Sequence, residues 1–200
     1  MGKRIILIVF FGMVGVSWQA SMARAGMMEN LLHTLKQQSP APSTTHSASS
    51  PSPIPAQELL PGQKADEIVV YKSEHRLELR VHGKTIRHYR VALGRNPVGH
   101  KLYQGDNRTP EGRYRIDMRN ANSQFYRSLR ISYPDRTDRD VALTVGVSPG
   151  DWIMIHGQKN TGPARNAYTD WTNGCIAVTN REMDEIWSMV DVGTPITIWP

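Results

Sequence analysis

The chain has 200 residues, of which 24 are lysine or arginine and 18 are aspartate or glutamate, so its formal net charge is +6. The basic residues are interspersed with acidic ones and form no dense stripe with interleaved aromatics, which argues against a nucleic-acid partner. A single cysteine, Cys175, excludes an intramolecular disulfide. The only thiol of the chain therefore needs another explanation.

The first 25 residues have the layout of a secretory signal peptide. Lys3 and Arg4 supply a positive start, an apolar run spans residues 5–16, and Ala23-Arg24-Ala25 has the small residues of a cleavage site. The run is shorter than the ~20 residues of a transmembrane helix, and an uncleaved anchor is the alternative. We predict export to the periplasm or another extracytoplasmic compartment, with no membrane span in the mature chain, whose net charge falls to +3 because three basic residues are removed.

Two short segments separate this signal from the part of the chain that can fold. Residues 26–38 carry methionine and leucine at helical spacing and predict a short amphipathic helix. Residues 39–65 are rich in proline and serine, a composition that favours an extended linker because it offers little to bury. Residues 66–200 have the composition of a globular domain, and a length of about 135 residues is enough to enclose one core.

Strand patterns dominate this domain. Short segments that are apolar or alternate between apolar and polar residues predict strands at 68–71, 77–81, 85–93, 113–118 and 195–199. One helix is expected near the end, where Thr179 and Glu182 fit a capping box that precedes an apolar stripe. We predict a mainly β fold, a sandwich or barrel, with one or two flanking helices.

Cys175 and His156 are the candidates for chemistry. Catalysis is the leading reason for an exported chain to keep one oxidisable thiol. His156 ends a strand-like segment and could act as its base, next to Gly157, which lets substrate or backbone come close. Gly174 leaves room beside the thiol, and backbone N–H groups there are candidates for an oxyanion hole. The alternatives are an inert buried thiol and a hydrogen-bonded core histidine.

Two tryptophans flank these candidates. Trp152 is expected in the core, whereas Trp171, which closes a loop of 15 residues after His156, is a candidate lining residue of a substrate cleft. The histidines lack metal-ligand spacing, and the sequence has no HExxH motif or paired CxxC. Neither a metal nor another cofactor is expected.

The segment between the two candidates resembles the signature of the L,D-transpeptidase (YkuD) catalytic domain, in which a histidine is followed after a short loop by Ser/Thr-x-Gly-Cys. Here 15 residues separate His156 from Thr172-Asn173-Gly174-Cys175. Further stretches resemble a YafK-like branch of that family, and the resemblance covers residues 68–200. These stretches are Val91 to Lys101, Gly105 to Gly112, Ser132-Tyr133-Pro134, Gly146 to Gly150 and Asp170 to Asn180.

The resemblance implies peptidoglycan chemistry. Members attack the bond between the third residue of a stem peptide and the fourth, a D-amino acid, so Cys175 would form a thioester and His156 would move the protons. An amine acceptor gives a 3-3 crosslink or a related coupling, and a wall-attached protein is a further candidate partner. Water as acceptor makes the protein an L,D-carboxypeptidase or amidase, and a cell-wall binding module without activity is the third alternative.

The chain departs from the commonest family pattern at two positions. Ala177 stands where many members have an arginine two residues after the nucleophile, and Asn173 stands where many have histidine. The missing cation raises the question of how the substrate carboxylate is held, and Arg108 and Arg165 are the candidates. The family also implies a backbone carbonyl that orients the histidine, which side chains alone do not identify.

Overall fold

The computed structural model describes residues 62–165 and 169–200. The predicted signal peptide, the predicted helix at 26–38 and most of the predicted linker lie outside these ranges. No helix within the described ranges is long and apolar enough to cross a membrane.

Eight strands form one sheet in the described part of the chain, in the order β3-β2-β1-β8-β4-β5-β6-β7. Two helices accompany them, so the predicted mainly β fold with one or two helices is confirmed. The elements are β1 Glu67–Tyr71, β2 Arg76–Val81, β3 Lys84–Arg90, β4 Gly112–Ser123, β5 Tyr126–Ile131, α1 Arg136–Thr144, β6 Met154–His156, β7 Ile176–Ala177, α2 Asn180–Met189 and β8 Pro195–Trp199.

Most predicted elements occur close to their expected bounds. Helix α2 begins after Thr179, whose side chain accepts from the Glu182 N–H in the predicted capping box. The strand expected at 85–93 is shorter and ends at Arg90. The residues after β3 leave the β2 edge and form single bridges with the segment around Cys175 instead. Tertiary pairing therefore overrides the local alternation there.

The core lies on one face of the strands that carry the candidate residues. Leu129 of β5, Ile155 of β6 and Ile176 of β7 are fully buried there, and Met183 and Ile186 of α2 belong to the same cluster. Because side chains alternate along a strand, the neighbours of these residues project from the opposite face. That opposite face carries the candidate active site.

Candidate active site

His156 and Cys175 lie on the same face of the sheet. His156 pairs with Ser128 of β5 on one side and with Ala177 of β7 on the other. Cys175 precedes β7 by one residue and is two residues from Ala177, so its side chain shares the face of His156. The structure thus brings together two residues that a long loop separates in sequence.

A tight turn presents the thiol. We call residues Thr172–Cys175 the thiol turn. The Thr172 hydroxyl donates to the Cys175 carbonyl at 2.7 Å and accepts from the Gly174 N–H at 3.1 Å. The Thr172 backbone is bonded to both Leu93 and Arg95, which anchors the turn to the segment after β3. Thr172 therefore holds the turn from inside.

Gly174 is required by geometry. Its φ is +129°, and a Cβ at this position would lie 2.6 Å from the Arg108 carbonyl oxygen. Neither the conformation nor the contact tolerates another side chain. The glycine therefore allows the Arg108 backbone to approach the thiol turn closely.

Two backbone donors remain for an oxyanion. The Gly174 N–H is engaged by Thr172. Within residues 62–165 and 169–200, the N–H groups of Asn173 and Cys175 donate no hydrogen bond. Unengaged N–H groups beside a nucleophile can stabilise a developing oxyanion. Asn173 and Cys175 thus offer free donors, whereas Thr172 and Gly174 build the turn that carries them.

The His156 ring is buried and has a defined tautomer. His156 is only 3 % exposed, and its Nδ1 lies 2.7 Å from the Gly157 carbonyl oxygen. Because a carbonyl can only accept, Nδ1 carries the proton and Nε2 of the neutral ring has the free lone pair. The backbone carbonyl of Gly157 thus orients the imidazole.

Two aromatic side chains pack on His156. The Phe125 ring lies 4.6 Å from it, centroid to centroid, and the Trp171 ring lies 5.7 Å away, edge on. Trp171 Nε1 is buried and has no partner in the described part of the chain, which leaves a donor beside the imidazole. Sequence reasoning missed Phe125, because it sits in the turn between β4 and β5 and no local pattern connects it to His156.

Burial controls the ionisation of both candidates. Desolvation lowers the pKa of His156 from its ordinary 6.5, and the hydrogen bond to Gly157 offsets this only in part. Desolvation raises the pKa of the Cys175 thiol from its ordinary 9.0, against a backbone hydrogen bond from Met154 and the positive charge of Lys101. At neutral pH the resting pair is therefore a neutral thiol and a neutral imidazole.

Alkylation of Cys175 by iodoacetamide should show this directly. The thiolate is the reactive form, so the rate should keep rising with pH beyond the ordinary thiol pKa of 9.0, because the folded-state pKa is raised. The measurement is the rate of mass increase of the intact protein across a pH series, with a small free thiol as reference. A rate that is independent of pH around neutrality would indicate a thiolate–imidazolium pair and contradict the expectation.

The two arginines proposed from sequence approach the site in different ways, one with its guanidinium and the other with its backbone. The Arg165 guanidinium lies over the Trp171 ring at 5.6 Å. Arg108 supports Gly174 through its backbone carbonyl, whereas its Nη1 lies 3.4 Å from the His100 carbonyl oxygen. Arg165 thus approaches the His156 side of the site, and Arg108 contributes through its backbone.

Gly157 serves packing. A Cβ there would lie 2.6 Å from Oδ1 of Asn180 and 3.0 Å from Cβ of Tyr126. Gly157 was expected to let either substrate or another part of the protein come close. The described residues contain the second kind of contact. Within the described residues, no group of three His, Cys, Asp or Glu side chains could hold a metal ion.

The expectation that Trp152 lies in the core is wrong. Trp152 is 54 % exposed and has a φ of +60°. Strand β6 begins only at Met154, so the left-handed residue before it turns the indole outward. Its carbonyl oxygen lies 3.6 Å from the Cys175 Sγ, which places an exposed aromatic residue at the thiol.

Comparison with known proteins identifies the family of this chain. The family model of the L,D-transpeptidase catalytic domain, YkuD, matches residues 65–198. YafK of Escherichia coli strain K12, which is named as an L,D-transpeptidase, is 28% identical over 130 residues, or 62% of this chain and 46% of that protein. The chain thus spans about half the length of the curated relatives it matches.

Solved structures share the fold. Pgp2 from Campylobacter jejuni, a helical cell shape determining protein, superposes with a TM-score of 0.53 at 22% identity, over 66% of this chain and 46% of that one. A mutant of Pgp2 gives 0.52 at 22% identity, over 67% of this chain and 48% of that one. With the family model covering nearly the whole described domain, the chain belongs to the L,D-transpeptidase (YkuD) catalytic-domain family.

Proposed function

We propose that this protein is an exported enzyme that transfers an acyl group from a peptidoglycan tetrapeptide to an amine through a thioester on Cys175. The observation that carries the proposal is the placement of Cys175 on the same sheet face as His156, whose Nδ1 is held by Gly157. This arrangement leaves Nε2 as a base on the face that carries the only thiol of the chain. Family membership supports the same class of reaction.

The neutral resting pair determines how the first step runs. His156 Nε2 takes the thiol proton as the Cys175 sulfur attacks the carbonyl of the third stem residue. The oxyanion that forms accepts hydrogen bonds from the N–H groups of Asn173 and Cys175. The protonated imidazole then gives its proton to the amine of the departing D-residue, and the C–N bond breaks to leave the thioester.

The second step reverses the proton transfers. Neutral His156 removes a proton from the acceptor amine as that amine attacks the thioester carbonyl. The C–S bond then breaks, and the imidazolium returns the proton to the Cys175 sulfur. Packing of Phe125 and Trp171 around the imidazole limits the approach of water on that side. This favours the amine of an acceptor peptide over water as the group that attacks the thioester. If water is the acceptor, the same site is an L,D-carboxypeptidase or amidase.

Product analysis tests the proposal. Purified protein incubated with a disaccharide-tetrapeptide should yield a crosslinked dimer that lacks one D-alanine, detected by mass spectrometry. The matched control is the same substrate with L-alanine at the fourth position, which should remain unchanged. A tripeptide without dimer would show hydrolysis in place of transfer. Unchanged substrate, with the Cys175 thiol still titratable, would contradict both reactions.

A further inference from the structure

Arg130 and Trp152 form a cation–aromatic pair, and the Trp152 backbone contacts the thiol. The Arg130 guanidinium carbon lies 5.3 Å from the centre of the Trp152 ring. The same tryptophan is more than half exposed, and its carbonyl oxygen is the group 3.6 Å from the Cys175 Sγ. The backbone of Trp152 thus lies at the thiol, and its exposed ring is available to a substrate.

Sheet register places Arg130 in the same row as Cys175. Arg130 of β5 pairs with Met154 of β6. Since Ile155 pairs with Ile176, the preceding pair in the parallel register is Met154 with Cys175. Arg130 therefore lies on the face of the thiol, two strand spacings or about 10 Å away between Cα atoms.

A carboxylate from the neighbouring strand fixes the direction of this cation. Arg130 Nε and Nη2 donate to the two oxygens of Asp117 at 2.7 and 3.1 Å. Asp117 stands at the irregularity between Ile116 and Met118, where the register of β4 against β5 shifts. The ion pair uses one edge of the guanidinium fork.

The other edge of the fork has no hydrogen-bond partner within the described residues, and the negative charge of Asp151 also acts on this guanidinium. Within the described residues, Arg130 Nη1 donates no hydrogen bond, and the side chain is 34% exposed. A guanidinium oriented in this way is suited to a carboxylate, because it can donate two parallel hydrogen bonds from a preset plane. Its pairing with Asp117 orients the side chain without occupying Nη1.

The substrate of the proposed reaction carries a carboxylate at the matching place. A stem tetrapeptide ends at its D-residue, and the oxygens of that α-carboxylate lie about 4–5 Å from the scissile carbonyl carbon by standard bond lengths. Ala177, at the family's arginine position, has an uncharged side chain and supplies no cation. It is 1 % exposed and paired with both His156 and Ala92. Arg130 occupies another strand of the same face.

We propose that Arg130, oriented by Asp117 and stacked on Trp152, binds the terminal α-carboxylate of the donor's D-residue. This inference rests on the proposed acyl transfer and adds its donor specificity. The site would select peptides that end at the fourth residue and reject those whose terminus is blocked or extended.

The test compares two donors, the tetrapeptide acid and its C-terminal amide, with wild type and Arg130→Gln. Wild type should prefer the acid by roughly 10- to 100-fold in kcat/KM for thioester formation, the range of one hydrogen bond to a charged group. Arg130→Gln should lose a similar factor with the acid and change little with the amide. Trp152→Ala should lower kcat/KM for the acid by a smaller factor.

Arg127→Gln is the matched control. Arg127 lies on the same strand, is 36% exposed, is paired with Asp184 at 2.9 Å, and lies 5.5 Å from the Trp187 ring. It should leave the acid preference unchanged. If Arg130→Gln does not fold, Arg130→Lys tests the same point, since a lysine keeps the charge but loses the fork.

Two results would overturn the carboxylate site while leaving acyl transfer intact. One is equal kcat/KM for the acid and the amide with wild type. The other is an equal loss for both donors in Arg130→Gln. Failure of the proposed function has a different signature, because neither donor would then form a thioester on wild-type Cys175, and the inference about Arg130 would fall with it.

Discussion

Cys175→Ala should abolish thioester formation and lower the rate of acyl transfer by roughly 10⁴-fold or more, the scale seen when a covalent nucleophile is removed. Intact-mass measurement of the protein with substrate should show an acyl adduct for wild type and none for the variant. The turn itself should persist, because Thr172 bonds the Cys175 backbone carbonyl and not its side chain.

Stability measurements separate lost chemistry from lost folding. The thiol is half-buried, so Cys175→Ala should change the free energy of unfolding by only about 1 kcal/mol. Titration with a thiol reagent should find one reactive group in denatured wild type and none in the variant, because the sequence holds one cysteine. Product formation by the alanine variant at the wild-type rate would contradict a thioester on Cys175.

His156→Gln should slow thioester formation by roughly 10²- to 10⁴-fold, the usual contribution of a general base. A glutamine amide can still donate to the Gly157 carbonyl, but it has no lone pair that takes up the thiol proton. The remaining rate should rise steeply with pH, since hydroxide must then generate the thiolate from a thiol whose pKa is raised. Pre-steady-state mass spectrometry of the acyl-enzyme gives both the size of the loss and its pH dependence.

His88→Gln is the control for the histidine change. His88 is exposed on β3, where it pairs with Glu78 of β2, and no contact joins its side chain to the candidate site within the described residues, so its replacement should leave the rate unchanged. A rate for His156→Gln within a few-fold of wild type, at all pH values, would mean that another group deprotonates Cys175.

Local sequence patterns predicted the strands and the second helix because their causes are local. Alternation at the start of β4 reflects one buried face, and the apolar run of β1 reflects burial on both faces. The box between Thr179 and Glu182 involves residues three apart. The shortened β3 and the outward Trp152 were missed, since each depends on what the backbone pairs with after the pattern ends.

Some features of the candidate site were likewise predictable from local sequence, and others depend on tertiary contacts. Cys175 and His156 were identifiable from their motif and from the glycines beside them. The proton position on His156 was not, because it depends on the approach of the Gly157 carbonyl to Nδ1. Likewise Phe125 and Arg130 come from a hairpin distant in sequence, so no local pattern predicts that Phe125 contacts His156 or that Arg130 contacts Trp152.

The sequence alone therefore determined the family signature, the candidate nucleophile and base, and the β character of the domain, because these depend on short motifs and on period-two patterning. Only the tertiary structure decided which cation shares the face of the thiol, which aromatic rings enclose the imidazole, and which backbone N–H groups stay free. Those features arise from register between strands distant in sequence, such as β5 against β6 and the irregularity at Asp117 that directs Arg130. Pairing register is set by packing of the whole sheet, which no single segment encodes.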